Sequence, residues 1–451
     1  MTLSDVTSDD RPVPPPWQRP FRNAGKLLLG RGVQGIFSLG YLAIAARTLG
    51  VESFGVLVLL HSLVLAVAQF TRFQTWQAVL KFGAEAVAGH DRAYFIRLTV
   101  FAVRLDVASA AVAFAVLHFG IDGFAKLLGL EDDVIPLARV YGSLVIVMVL
   151  GSAPLGVLRL FDRHDLFAWQ TTIEPAIRFF GVVALAFADA PLGGYIAVWY
   201  LATLIGELAT WVMAISVLRT QDLMPDATQF CARRLYLPRG MWRFVIGTNI
   251  NSTLNLGNTQ LGILLSGWLL GPAGAGYFRV AKQFADILIK PSSKLLVPAI
   301  YTDMAQLSAS GDRATRRQVV RRGVLVAGLA ACGIFLLLVV CGKVLITLLV
   351  GADYVRVYGT MLWLAGAGFL AIIAFPFEPL LVSGGKVRAT VITRLAAIVV
   401  YFAAFYIFGL RYGLIGAGIA TAINAGVTTA LFYFFGRPLL RVREPPCPTR
   451  S

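Results

Sequence analysis

Runs of about 20 apolar residues, each long enough to cross the hydrocarbon core of a bilayer, recur along the whole of this chain. They begin near residues 25, 53, 95, 136, 171, 191, 241, 272, 321, 358, 389 and 413. With 57% hydrophobic and 14% charged residues and a mean hydropathy of +0.74, the composition excludes an ordinary soluble domain. The expected fold is an all-α integral membrane protein of about twelve transmembrane helices.

The first 24 residues do not read as a secretory leader. Asp5, Asp9, Asp10 and the prolines at 14–16 occupy the place where a leader needs a basic start and an apolar stretch. The formal charge of +16 would suggest nucleic acid in a soluble chain, but here topology accounts for it. With a cytoplasmic N-terminus, the inside segments collect most of the basic residues. These are Arg11, Arg19, Arg22 and Lys26; then Arg219, Arg233, Arg234, Arg239 and Arg243; then Arg313, Arg316, Arg317, Arg321 and Arg322. The outer loop holds Asp122, Glu131, Asp132 and Asp133. Both termini are therefore expected in the cytoplasm. The four cysteines, Cys231, Cys332, Cys341 and Cys447, have no metal-site spacing, so no metal or cofactor is expected.

Displaced by about 221 residues, the chain matches itself. Leu49-Gly50-Val51-Glu52-Ser53-Phe54-Gly55 falls on Leu270-Gly271-Pro272-Ala273-Gly274-Ala275-Gly276, and Asp91-Arg92-Ala93 falls on Asp312-Arg313-Ala314. After a small shift Arg139-Val140-Tyr141-Gly142 matches Arg356-Val357-Tyr358-Gly359. Two copies of six spans would be parallel repeats, with substrate held between them. The expected organisation is a polar tail at 1–24, an N-lobe at 25–218, a basic cytoplasmic linker at 219–240, a C-lobe at 241–436 and a basic tail at 437–451.

An ionised side chain at mid-bilayer costs roughly 3 kcal/mol. Arg279, Lys282, Asp286, Lys290 and Lys294 share one stripe of span eight, so exposing all five to lipid would cost on the order of 15 kcal/mol. The stripe must face water or protein. His61, Gln69 and Arg72 repeat it in span two; Asn251, Asn255 and Asn258 form a stripe in span seven, and Arg31, Gln34 and Ser38 form one in span one. A lumen holding Arg31, Arg72, Arg279, Lys282, Lys290 and Lys294 against Asp286 alone would attract an anion. Lys282, Asp286 and Lys290 also fit a structural ion-pair ladder, and the asparagines fit interhelical hydrogen bonding. Glu378, between Pro376 and Pro379 in span ten, joins Asp286 as a candidate for ion coupling where the helix is broken. Arg104 with Asp106, Glu174 with Arg178, and Glu207 read as local pairs.

Ala46-Arg47-Thr48-Leu49-Gly50-Val51-Glu52-Ser53-Phe54-Gly55 and Leu269-Leu270-Gly271-Pro272-Ala273-Gly274-Ala275-Gly276-Tyr277, with the two-lobe plan, resemble the polysaccharide or oligosaccharide-lipid flippases of the multidrug/oligosaccharidyl-lipid/polysaccharide (MOP) exporter superfamily. The resemblance covers nearly the whole chain. It implies a V-shaped pair of six-helix lobes around a cavity that alternates between membrane faces, and polyprenyl-diphosphate-linked sugars as substrates. A diphosphate needs Arg or Lys partners, which the six basic residues of the lumen would supply. The related multidrug exporters usually carry an acidic residue in the first half's cavity, where span one here offers Arg31. The peptidoglycan-precursor flippases tend to have two more spans.

The function expected is translocation of an anionic lipid-linked oligosaccharide across a bacterial inner membrane, with the bilayer and other polysaccharide assembly proteins as partners and no catalytic residues. No Walker motif is present. The alternatives are a cation-coupled multidrug antiporter and a membrane glycan polymerase or ligase, the latter disfavoured by the lack of a large outer loop.

Overall fold

The computed structural model describes residues 18–161, 164–225, 240–255, 260–309, 313–383 and 386–440, and every regular element among them is helical. The first half contains α1 (Gln18–Thr71), α2 (Thr75–Ala88), α3 (Arg92–Leu128), α4 (Ile135–Gly142), α5 (Leu144–Leu150), α6 (Ser152–Leu160), α7 (His164–Phe187) and α8 (Leu192–Thr220). The second contains α9 (Met241–Asn255), α10 (Leu261–Ala309), α11 (Arg313–Leu349), α12 (Tyr358–Ala374), α13 (Phe377–Ser383) and α14 (Val387–Leu440). Among the described residues, eight helical stretches are long and apolar enough to cross a membrane.

Several helices are too long for a single crossing. The 54 residues of α1 would extend about 80 Å, against about 30 Å of hydrocarbon. Glycines divide them. Gly50 breaks α1 at φ 72° and ψ 177°, Gly271 breaks α10 at φ 73° and ψ −177°, and Gly413 breaks α14 at φ 56°. A side chain at such φ is strained, so glycine permits the reversal. The three breaks fall where the sequence places junctions between successive spans. Shorter interruptions follow: residues 72–74 separate α1 from α2, and the turn at 375–376 separates α12 from α13. The start of α3 is capped by Asp91, whose carboxylate accepts the Tyr94 N–H at 2.8 Å.

One buried core runs through both halves, from Tyr41, Tyr141 and Trp199 to Phe278, Tyr354 and Phe405. At the Gly50 and Gly271 breaks the halves meet backbone to backbone. A Cβ at Gly276 would lie 2.9 Å from the Val51 carbonyl oxygen, and one at Gly55 would overlap the Pro272 carbonyl. The Tyr354 hydroxyl donates to the Ala46 carbonyl at 3.2 Å beside this contact.

A second contact lies about 40 Å further along the α1–α2 run. There Phe82 and Phe101 meet Phe244 and Trp242 of α9 edge to face at 5.6 and 5.3 Å. Lys81 lies 4.6 Å over the Phe244 ring. Phe119 and Phe187, 82% and 88% exposed, lie on the outer surface of the helices, as a lipid-facing surface requires. Residues 1–17 and 441–451 and most of the basic segment between α8 and α9, at 226–239, lie outside the described residues, while 18–24 and 437–440 of the expected tails belong to α1 and α14.

Candidate functional site

The polar side chains gather in two cavities, one in each half of the chain. Among the described residues the first, about 270 Å³, is lined by residues between Gln34 and Glu207, and the second, about 570 Å³, by residues between Gln260 and Phe432. Gln34, Ser38, His61, Gln69 and Arg72 line the first cavity, while Arg279, Lys282, Asp286 and Glu378 line the second. Arg31, Asn251, Asn255, Lys290 and Lys294 lie in α1, α9 and α10 with side chains outside the described part, and Asn258 is outside the described residues.

In the first cavity α7 and α8 contribute a closed ion-pair network. Arg178 pairs with Glu174 one helical turn away. It also donates to the Thr203 hydroxyl at 2.9 Å, which in turn donates to Glu174 at 2.8 Å. The guanidinium stacks 4.7 Å over the Trp199 ring, and its side chain is 6% exposed. Such a charge is tolerable because Glu174, Thr203 and the Trp199 face compensate it, although its buried Nε has no partner among the described residues. The Glu174→Gln variant is accordingly expected to lose about 3 kcal/mol of stability, read as a lower midpoint of thermal unfolding in detergent. Glu174→Leu with Arg178→Met should recover most of that loss. An unchanged midpoint for the single variant would show that the pair does not hold these helices.

His61 is tied down: its Nδ1 lies 2.8 Å from the Tyr141 hydroxyl, and its ring meets Trp199 edge to face at 5.1 Å. Arg72 differs from both. It stands in the unwound segment after α1, donates from Nη1 to the Met148 carbonyl at 3.4 Å, and leaves its buried Nε without a partner among the described residues. No carboxylate lies within 4 Å of it there. Glu207 faces the same cavity, seated against Gly151, where any side chain would collide with its carboxylate.

In the second cavity Lys282 donates to Asp286 at 3.2 Å, so this part of the span-eight stripe is an i,i+4 ion pair. Glu378, at the start of α13, pairs with Arg394 of α14. Arg279 lines the cavity and makes no ion pair among the described residues. The expected charge set, six cations against Asp286, gains members of both signs, because Glu174, Glu207 and Glu378 and also Arg178 and Arg394 line these cavities. The Glu174–Arg178 pair was legible from its spacing of four. Arg394 meets Glu378 across two helices, which no periodicity reveals. Asp106, read as a local partner of Arg104, accepts hydrogen bonds from Thr75 and Ala153.

A family model described as "Polysaccharide biosynthesis protein" matches residues 21–300. The chain is 31% identical over 343 residues to "Inner membrane protein YghQ" of Escherichia coli (strain K12), covering 75% of this chain and 94% of that protein. Two solved structures share its fold with a TM-score of 0.69. One is an inward-facing multidrug resistance MATE family transporter of the MOP superfamily, at 15% identity, covering 92% of this chain and 94% of that one. The other is the lipid II flippase MurJ in an inward closed conformation, at 12% identity, covering 90% and 86%. An outward-facing MATE transporter aligns with a TM-score of 0.63 at 15% identity, over 93% and 95%.

Proposed function

Because the chain belongs to the polysaccharide biosynthesis protein family, we propose that it is a flippase. It would carry an anionic polyprenyl-diphosphate-linked oligosaccharide from the cytoplasmic to the periplasmic leaflet of a bacterial inner membrane. The observation that carries this reading is a pair of arginines, Arg72 and Arg279. Each lines the cavity of its own half without a carboxylate within 4 Å among the described residues. A cavity-lining guanidinium that makes no direct ion pair is a site for an incoming anion, and its planar fork suits phosphate oxygens. The glycan would occupy the larger cavity, and the lipid tail would stay in the bilayer.

On this reading the protein has about twelve spans in two parallel six-helix repeats, with both termini cytoplasmic, and works by alternating access. The matching breaks at Gly50 and Gly271, and the reciprocal contacts of Gly55 with Pro272 and of Gly276 with Val51, support the repeat. The chain performs no covalent chemistry. A second reading, export of organic cations, is favoured by Glu207, a carboxylate that faces the first cavity with no ion pair within 4 Å among the described residues.

Both readings are tested in proteoliposomes loaded with a fluorescent polyprenyl-diphosphate sugar, scored by the fraction that becomes accessible to a quencher in the opposite leaflet. Protein-dependent movement is expected. Cation efflux with no movement of the lipid would replace the flippase by the antiporter.

A further inference from the structure

Arg72 can serve a ligand only if the unwound segment between α1 and α2 holds one conformation. The structure shows what holds it. Residues 72–74 lie between Thr71, the last residue of α1, and Thr75, the first of α2. Thr75 is fully buried. Its hydroxyl donates to Asp106 Oδ1 at 2.8 Å and lies 2.8 Å from Ser152 Oγ. The other oxygen of Asp106 accepts the Ala153 N–H at 2.8 Å. Ser152 Oγ also accepts the Trp76 N–H at 3.4 Å.

Asp106 lies on α3 and is fully buried, where an uncompensated carboxylate would be costly. Its compensation comes from the Thr75 hydroxyl in the first turn of α2 and from the Ala153 N–H in the first turn of α6. Each such turn carries unsatisfied N–H groups and roughly half a positive charge.

Both chain segments that define Arg72 pass through this carboxylate. Arg72 lies three residues before Thr75, and Met148, whose carbonyl accepts from its guanidinium, lies five residues before Ala153. Clamping residues 75 and 153 to one side chain keeps the guanidinium and its acceptor in register. Asn249 of α9 completes the frame by donating to the Arg72 carbonyl at 2.9 Å.

We propose that Asp106 is a positioning residue: it ties the Thr75 hydroxyl at the start of α2 to the Ala153 N–H in the first turn of α6, and so presents the Arg72 guanidinium to the first cavity. This rests on the reading of Arg72 as an anion contact. The Asp106→Asn side chain has the same shape but lacks the charge, and it turns an amide N–H₂ toward one of the two donors that the carboxylate satisfied.

The test uses the full chain in detergent, with farnesyl diphosphate as the probe and amide hydrogen exchange as a readout independent of any ligand. In Asp106→Asn, exchange at residues 72–76 and 153–155 is expected to rise on the order of ten-fold, and affinity for the probe to fall about ten-fold. Combined with Arg72→Gln, Asp106→Asn should bring no further loss of affinity, the non-additivity of two residues acting through one contact. Thr75→Val, which removes only the hydroxyl, should reproduce the Asp106→Asn exchange pattern, and Thr75→Ser should restore wild-type behaviour.

Unchanged exchange in both Asp106→Asn and Thr75→Val overturns the proposal, as does an equal loss of affinity with and without Arg72. If wild-type protein binds no probe, the anion reading of Arg72 fails and the positioning role toward a ligand falls with it. Raised exchange would in that case still identify Asp106 as the clamp of the break.

Discussion

Replacing Gly276 with valine is expected to reduce transport about 100-fold while leaving the protein folded. The Cβ of the new residue would lie 2.9 Å from the Val51 carbonyl oxygen and 3.2 Å from the Gly55 backbone. These neighbours are main chain and cannot rotate away. Overpacking of this kind costs about 1–3 kcal/mol, which lowers the population of the conformation with this contact closed by roughly 5- to 150-fold. Valine, with two further methyl groups, falls at the upper end. The cost acts on the contact between halves and not on the core of either one, so thermal unfolding in detergent should change little. Gly55→Val, which would overlap the Pro272 carbonyl, should behave in the same way. Wild-type transport by either variant would show that this contact does not close during the cycle.

The second large effect is expected from the two arginines. Arg72→Gln and Arg279→Gln should each slow movement of a polyprenyl-diphosphate sugar about ten-fold, the consequence of losing one charge-assisted hydrogen bond of roughly 1.5 kcal/mol. The two residues line separate cavities, so their effects should combine to about 100-fold. Lys282→Gln with Asp286→Asn, which removes an ion pair already satisfied within the protein, is the control and should cost little. If the control loses as much activity as the arginine pair, the cavities do not select for uncompensated charge and the diphosphate reading is wrong.

What was legible in the sequence follows from the range of each signal. The breaks at Gly50 and Gly271 fall within the two segments that the internal repeat sets on each other, Leu49 to Gly55 and Leu270 to Gly276. The helical spacing of Arg279, Lys282 and Asp286 placed all three on one cavity wall, because periodicity along a single helix survives folding. Partnership between helices was not legible. Nothing local ties Glu378 to Arg394, Glu207 to the cavity of Arg72, or Asp106 to Thr75 and Ala153.

The charge content of the first cavity bears on energetics. Arg72 and Arg178 face Glu174 and Glu207 there, so among the described residues, with His61 counted as uncharged, the formal sum is zero. A transmembrane voltage does work of about 2.3 kcal/mol per elementary charge per 100 mV. In a cell whose interior is electrically negative, a diphosphate carried outward with two negative charges would gain about 5 kcal/mol per 100 mV. If the second cavity moves with the first, its Arg279, Lys282 and Arg394 against Asp286 and Glu378 add one positive charge among the described residues. The loaded step would then carry one net negative charge outward and the empty return one positive charge inward, each gaining about 2.3 kcal/mol per 100 mV.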